Sequence, residues 1–226
     1  MRADIRNRPD FASLHLELSS GESVFTETGS MMGMDPRLTL ASNLKGGLLA
    51  AAKRALTGES LILNTYTATG DGQRLDLAPS QPGDVEAVAL EGGAVVVQQG
   101  SFLAATPGVE LDAKWAGAKG FLSGESLIMI RAHGTGTLWL SSYGAIAQVD
   151  VNGSYEVDTS HVVAFDETLQ WTVTRSGGLK SVFLSGEGLV VRFTGRGRVW
   201  FQTRAAPNLA SFLHPFRAIK PKPNNG

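Results

Sequence analysis

The sequence predicts an all-β protein: a sandwich of short antiparallel strands in three related units, with one or two short helices. Three observations predict it. The chain carries 27 glycines, and they recur between short runs of β-branched, aromatic and leucine residues, the punctuation of many turns and many strands. A Gly-Glu-(Ser/Gly)-Leu pattern occurs three times at near-equal spacing, beginning at Gly58, Gly124 and Gly186. After each one comes an apolar run, then Gly-x-Gly, then a second apolar run.

The runs read as strands in order. LILNTYTA, LIMIRA and LVVRF precede Gly70-Asp71-Gly72, Gly134-Thr135-Gly136 and Gly195-Arg196-Gly197, and QRLDLAP, TLWLSSY and RVWFQTR follow them. Gly-x-Gly supplies the positive φ of tight hairpins, so three hairpins are expected. In the third, Val199 and Phe201 alternate with Arg198, Trp200 and Gln202, which suggests one apolar and one mixed face. Single hairpins are unstable, so the three should pack into one shared core. Gly29-Ser30 and Gly100-Ser101 occupy matching upstream places, and EAVALEGGAVVVQ and HVVAFDETLQWTV precede the later hairpins. The copies fall at about 10–82, 83–152 and 153–213 of a single β domain, with turn signals at Pro82-Gly83-Asp84 and Asn152-Gly153. Residues 44–56 read as a short helix with Leu48, Ala52, Ala55 and Leu56 on one face. Residues 214–226, with Pro215, Pro221 and Pro223, read as a loose basic tail.

Composition narrows the function classes. An apolar fraction of 42% and a charged fraction of 18% describe a globular chain. The net charge of −1 supplies no global field to attract nucleic acid. No cysteine is present, which removes disulfides, thiolate catalysis and cysteine zinc sites. No signal-peptide or transmembrane run is visible, so a cytoplasmic protein is expected. P-loop, dinucleotide, His-Glu-x-x-His and Gly-x-Ser-x-Gly patterns do not occur. No catalytic residue, cofactor or metal is therefore assigned.

Four features merit weighing as sites. Glu59, Glu125 and Glu187 hold equivalent places and could converge on an axis to bind a ligand or hard cation. Their position in a repeated turn is by itself a sufficient explanation of three repeated glutamates. Asp158-Thr159-Ser160-His161 could set a carboxylate beside an imidazole, although Asp158 and Ser160 also suit a turn. Arg192, Arg196, Arg198 and Arg204 accompany Trp200 and Phe201, a mixture able to bind phosphates and stack bases; alternating arginines more often form a solvated face. Residues 44–56 carry Lys45, Lys53 and Arg54 and could touch a membrane surface, a reading weakened by shortness and glycines.

Several stretches are recognisable. GGLLAAAKRALTGESLILNTYTA, LAPSQPGDV, VQQGSFLAA, LSSYGAI, VDTSHVVAF and LSGEGLVVRFTGRGRVWFQTR resemble the family named for altered inheritance of mitochondria, over about residues 15–206. The resemblance implies a β-sandwich grouped with the trp RNA-binding attenuation protein and related to double-stranded β-helices. It implies a soluble bacterial protein that self-associates, and it carries no catalytic residues. The expectation is a non-enzymatic, self-associating interaction or scaffold protein. The alternative is a binding module for a small ligand, metal ion or nucleic acid.

Overall fold

The computed structural model describes residues 1–43, 63–112, 128–175 and 189–217. The glutamates Glu59, Glu125 and Glu187, and the helix expected at 44–56, lie outside the described residues.

Fifteen strands and one α-helix make up the described chain. The strands are β1 (Arg2–Arg6), β2 (Ser13–Leu18), β3 (Ser23–Glu27), β4 (Met31–Met34), β5 (Thr39–Asn43), β6 (Leu63–Thr67), β7 (Gln73–Leu77) and β8 (Val85–Gln98). Then follow β9 (Phe102–Ala105), β10 (Val109–Asp112), β11 (Met129–Ser141), β12 (Ile146–Asp158), β13 (Val162–Asp166), β14 (Gln170–Arg175) and β15 (Leu189–Gln202). The helix α1 (Ala206–Leu213) closes the series. One sheet has four strands in the order β1-β2-β7-β4. The other runs β12-β15-β13-β8-β11-β9-β3-β6-β5, with β10 added on β11 and β14 on β15. Strand pairing is antiparallel throughout. The fold is all-β, as the strand-like runs predict.

The glycine pairs do not make hairpins. Gly134 and Gly136 lie inside β11, and Gly195 and Gly197 lie inside β15, each one continuous strand. Gly70-Asp71-Gly72 joins β6 to β7, which sit in different sheets. The physical reason is close approach rather than chain reversal. A Cβ on Gly134 would stand 2.4 Å from the Gly108 carbonyl oxygen, and one on Gly136 would stand 2.1 Å from Thr106 Oγ1. The turn between β9 and β10 therefore lies directly on the middle of β11. Asn152-Gly153, expected as a turn between copies, lies within β12. The chain reverses instead between β11 and β12, where Ser142 Oγ donates to the Gly144 carbonyl at 2.6 Å.

One order of pairing recurs along the chain. β2 and β3 pair with β7 and β6, β8 pairs with β11, and β12 pairs with β15. Short strands lie against the last strand of each set: β4 and β5 on β7 and β6, β9 and β10 on β11, β13 and β14 on β15. Two of these short strands also bridge onward, β9 to β3 and β13 to β8.

Alternation supplies the interior. Leu14, Leu16 and Leu18 of β2 are buried with Leu75 and Leu77 of β7, Tyr66 and Trp139. Val95 and Val97 of β8 face a second cluster with Phe102, Leu138, Leu140 and Trp200. Val96, on the opposite side of the same strand, enters a third with Phe165, Phe193 and Val199. The interior is thus three clusters rather than the one shared core expected, because β8 and β15 are covered on both faces at these points. Trp200, expected on a mixed face, is buried like its neighbour Val199.

Helix α1 starts with Pro207 in its first turn and buries none of its residues. Among the described residues no helix is long and apolar enough to cross a membrane.

Candidate functional site

The arginine strand is largely neutralised from within. Arg192 Nε donates to Glu156 at 2.6 Å, across the β12–β15 pair. Arg198 forks onto Asp166, with Nε and an Nη each at 3.0 Å, and its own backbone N–H reaches the same carboxylate at 2.8 Å. These contacts hold the Arg198 guanidinium firmly charged, its pKa above the ordinary value. The same guanidinium lies 4.7 Å from the Trp200 ring centroid. Arg196 donates to Asn152 at 3.1 Å, and Arg204 to the Thr203 carbonyl at 3.2 Å. Trp200 is buried, and its indole N–H is spent on Glu86 at 3.0 Å. A stacking platform for bases needs an open aromatic face beside unpaired cations. This strand offers neither at Trp200, Arg192 or Arg198.

The Asp158–His161 segment forms a 3-10 turn, Thr159–His161, capped by Asp158. The Asp158 carboxylate accepts from the Ser160 backbone N–H at 2.8 Å and its hydroxyl at 2.5 Å. His161 turns away from it and donates from Nδ1 to the Gln202 carbonyl at 2.6 Å. Among the described residues no carboxylate orients this imidazole. Gln202 ties the region together: its amide nitrogen donates to the Ser160 carbonyl at 2.9 Å, and its amide oxygen accepts from the Tyr143 N–H at 2.9 Å.

Beside this turn opens a cleft of about 260 Å³. Gly100 and Ser101 of the 3-10 turn Gln99–Ser101 line it together with Thr159, Ser160 and Val162. Gln81, Gln98, Gln202, Ala206 and Pro207 also line it. The polar side chains among its described lining residues are amides and hydroxyls, none of them ionisable, so it can hold a small neutral polar group by hydrogen bonds. Among its described lining residues there is no acid or base. Among the described residues no cluster of three His, Cys, Asp or Glu side chains is placed to hold a metal.

A third constellation was missed in the sequence. Ser13 Oγ lies 2.9 Å from His15 Nε2, and His15 Nδ1 lies 2.6 Å from Asp76 Oδ1. With Nδ1–H given to the carboxylate, Nε2 accepts the Ser13 hydroxyl proton. Arg74 backs the row, its Nε 2.7 Å from the same Asp76 oxygen. Burial pushes the Asp76 carboxyl up, but the hydrogen bonds from Arg74 and His15 outweigh it and hold it below the ordinary value. Nucleophile, base and orienting carboxylate are thus in line. The element that completes acyl transfer is a pair of free donors for an oxyanion. Strand β2 cannot supply them, because it pairs with β1 on one edge and β7 on the other. Ser13 is also buried. The row therefore reads as a polar brace on the outer face of the four-stranded sheet.

The outer surface holds two apolar concentrations. Met31, Met32 and Met34 of β4 are exposed. So are Leu209, Phe212, Leu213 and Phe216, which share one helical face in and just after α1.

Comparison with known proteins agrees with this fold. The chain is 28% identical over 235 residues to an uncharacterized protein of Streptococcus pyogenes serotype M6, spanning 100% of this chain and 93% of that one. The crystal structure of a Streptococcus pyogenes protein is similar with a TM-score of 0.80 at 26% identity, covering 96% of this chain and 99% of that chain. The model of the family described as mitochondrial biogenesis AIM24 matches residues 3–204. The chain belongs to the mitochondrial biogenesis AIM24 family.

Proposed function

We propose that this chain is a non-enzymatic interaction protein, built from three copies of one β unit, that associates with further copies of itself. The observation that carries the reading is the exposed apolar surface on β4 and α1. Met32 is 57% exposed, Phe212 67% and Phe216 76%. Contiguous apolar side chains on an edge strand or an unburied helix mark association surfaces in soluble proteins. The recurring order of strand pairing supports descent from one unit. The catalytic alternative is weakened by the closed backbone around Ser13 and by a cleft whose described lining carries no titratable group.

Mass by light scattering across a hundredfold dilution, about 1 to 100 μM, tests this. The expected result is a mass above that of one chain that falls on dilution. A single-chain mass throughout would end the reading.

A second reading is favoured by one observation, the convergence of Gln98, Gln202, Ser101 and Ser160 on the cleft. Four amide and hydroxyl groups suit a small neutral polar ligand. A thermal-shift screen of sugars, amides and polyols, repeated with Gln202→Ala, separates binding in the cleft from binding elsewhere.

A further inference from the structure

We propose that β4 of one chain pairs antiparallel with the second half of β12 in another copy, in a defined register. The proposal rests on the self-association reading and names its surface.

The argument begins from equivalent places. Met34 stands opposite Leu75, Ala105 opposite Leu138 and Phe165 opposite Val199. These pairs put β4, β9 and β13 at the same position against the closing strand of their sets. Strand β9 is then sandwiched, with β11 on one edge and β3 on the other. Strand β13 is sandwiched likewise between β15 and β8. All four residues of β9 are buried, and so are the first four of β13. Strand β4 has β7 on one edge and ends its sheet on the other. Its methionines are exposed where their counterparts are covered.

The missing partner has a counterpart too. The strand ends that receive β9 and β13 are Phe25–Thr26 of β3 and Val95–Val97 of β8. Glu27, Gln98 and Asp158 each end a strand just before the next turn, which sets the third receiving end at Tyr155–Val157 of β12. Strand β12 also ends its sheet, with β15 as its one partner among the described residues, and Tyr155 is exposed there. Among the described residues, one chain therefore presents one unfilled short strand and one unfilled receiving edge. Such edges are templates for another chain.

The two internal joints fix the register. Ala104 faces Thr26 and Ala164 faces Val97; Ala105 faces Phe25 and Phe165 faces Val96. Transferred to the open edges, Gly33 faces Val157 and Met34 faces Glu156. The small Gly33 occupies the place of Ala104 and Ala164, so the strand can approach as closely as its counterparts do.

Cysteine pairing tests the register on a chain that holds no other cysteine. Gly33→Cys and Val157→Cys are made in separate chains and mixed under mild oxidation. The expected product is a disulfide dimer of the two variants, absent when Gly33→Cys is mixed with Gly93→Cys. A Met34→Glu variant, which sets a second carboxylate against Glu156, should weaken association at least about tenfold, while Met34→Lys should not. Wild-type protein that stays a single chain by light scattering defeats self-association and this interface together. Oligomeric protein with no disulfide above the control defeats the interface alone. Ring closure within one chain carrying both cysteines, without dimer, likewise overturns the proposal.

Discussion

Gly153 of β12 stands directly opposite Gly195 of β15, both at positive φ, 121° and 116°. The two glycines give a long pair of strands positive-φ backbone at one shared point, with no side chain on either strand there. A residue with a Cβ is strained at such a φ whatever the space around it. Gly195→Ala should cost about 1–3 kcal/mol in urea unfolding. Gly93→Ala is the matched control, since a Cβ there meets nothing within 4 Å and its φ is not positive. It should change stability by less than about 0.5 kcal/mol. Equal losses at both positions would contradict the role given to the positive φ at the Gly153–Gly195 pair.

That pair also marks where the sequence stops being legible. Leu14, Leu16 and Leu18 alternate with Ser13, His15 and Glu17, so the strand and its buried face can be read directly. The turn capped by Asp158 is equally local, and its residue types reveal it. Gly134-Thr135-Gly136 is different, because the same three residues suit a hairpin or a bend. The choice is made by the Gly108 carbonyl across the fold, which no local pattern contains. Ser13 and His15 share a face by simple alternation, but Asp76 joins them only through the β2–β7 register. The helix α1 was readable: Pro207 near its start and apolar residues at 209, 212, 213 and 216 give the spacing.

Arg8 pins the chain's beginning to the start of β8. Its Nε and an Nη reach the two Asp84 oxygens at 2.7 and 2.8 Å. Asp84 is buried, while Arg8 is partly open to solvent. Removing the cation leaves a carboxylate in the interior with less than its full set of donors. Arg8→Ala should therefore destabilise by about 2 kcal/mol, and Arg8→Lys should recover part of that because it keeps charge but loses the fork. The double variant Arg8→Ala with Asp84→Asn should be less damaged than Arg8→Ala alone, which thermal unfolding of all four proteins measures.

The row Ser13–His15–Asp76 has a chemical prediction. Without free N–H donors beside Ser13, an activated fluorophosphonate should leave this serine unmodified, as intact-mass spectrometry would reveal. His15→Ala should instead lower stability, by about 1–2 kcal/mol, through loss of the donor to Asp76 and the acceptor for Ser13. The acid side follows from Asp76. Its carboxyl is held below its unfolded value, so its contribution is present above that value and fades as pH falls through the folded one. Covalent labelling at Ser13 would overturn the structural reading of the row.

Glu27 has the opposite sign. It ends β3 with its side chain half-buried, and among the described residues no cation or donor reaches its carboxylate. Burial pushes its pKa from the ordinary 4.5 up to about 7. The folded state then binds a proton more tightly than the unfolded chain does. Stability from this group is full below about pH 4.5, declines between 4.5 and 7, and is flat above. Glu27→Gln removes the titration and keeps the shape. It should flatten the fall in stability between those pH values and raise stability at pH 8 by about 1 kcal/mol, a figure reduced for the part of the side chain that solvent screens. Urea midpoints of wild type and Glu27→Gln at pH 4.5, 6 and 8 measure both effects. Parallel pH profiles for the two proteins would mean that the Glu27 carboxyl is not desolvated in the fold.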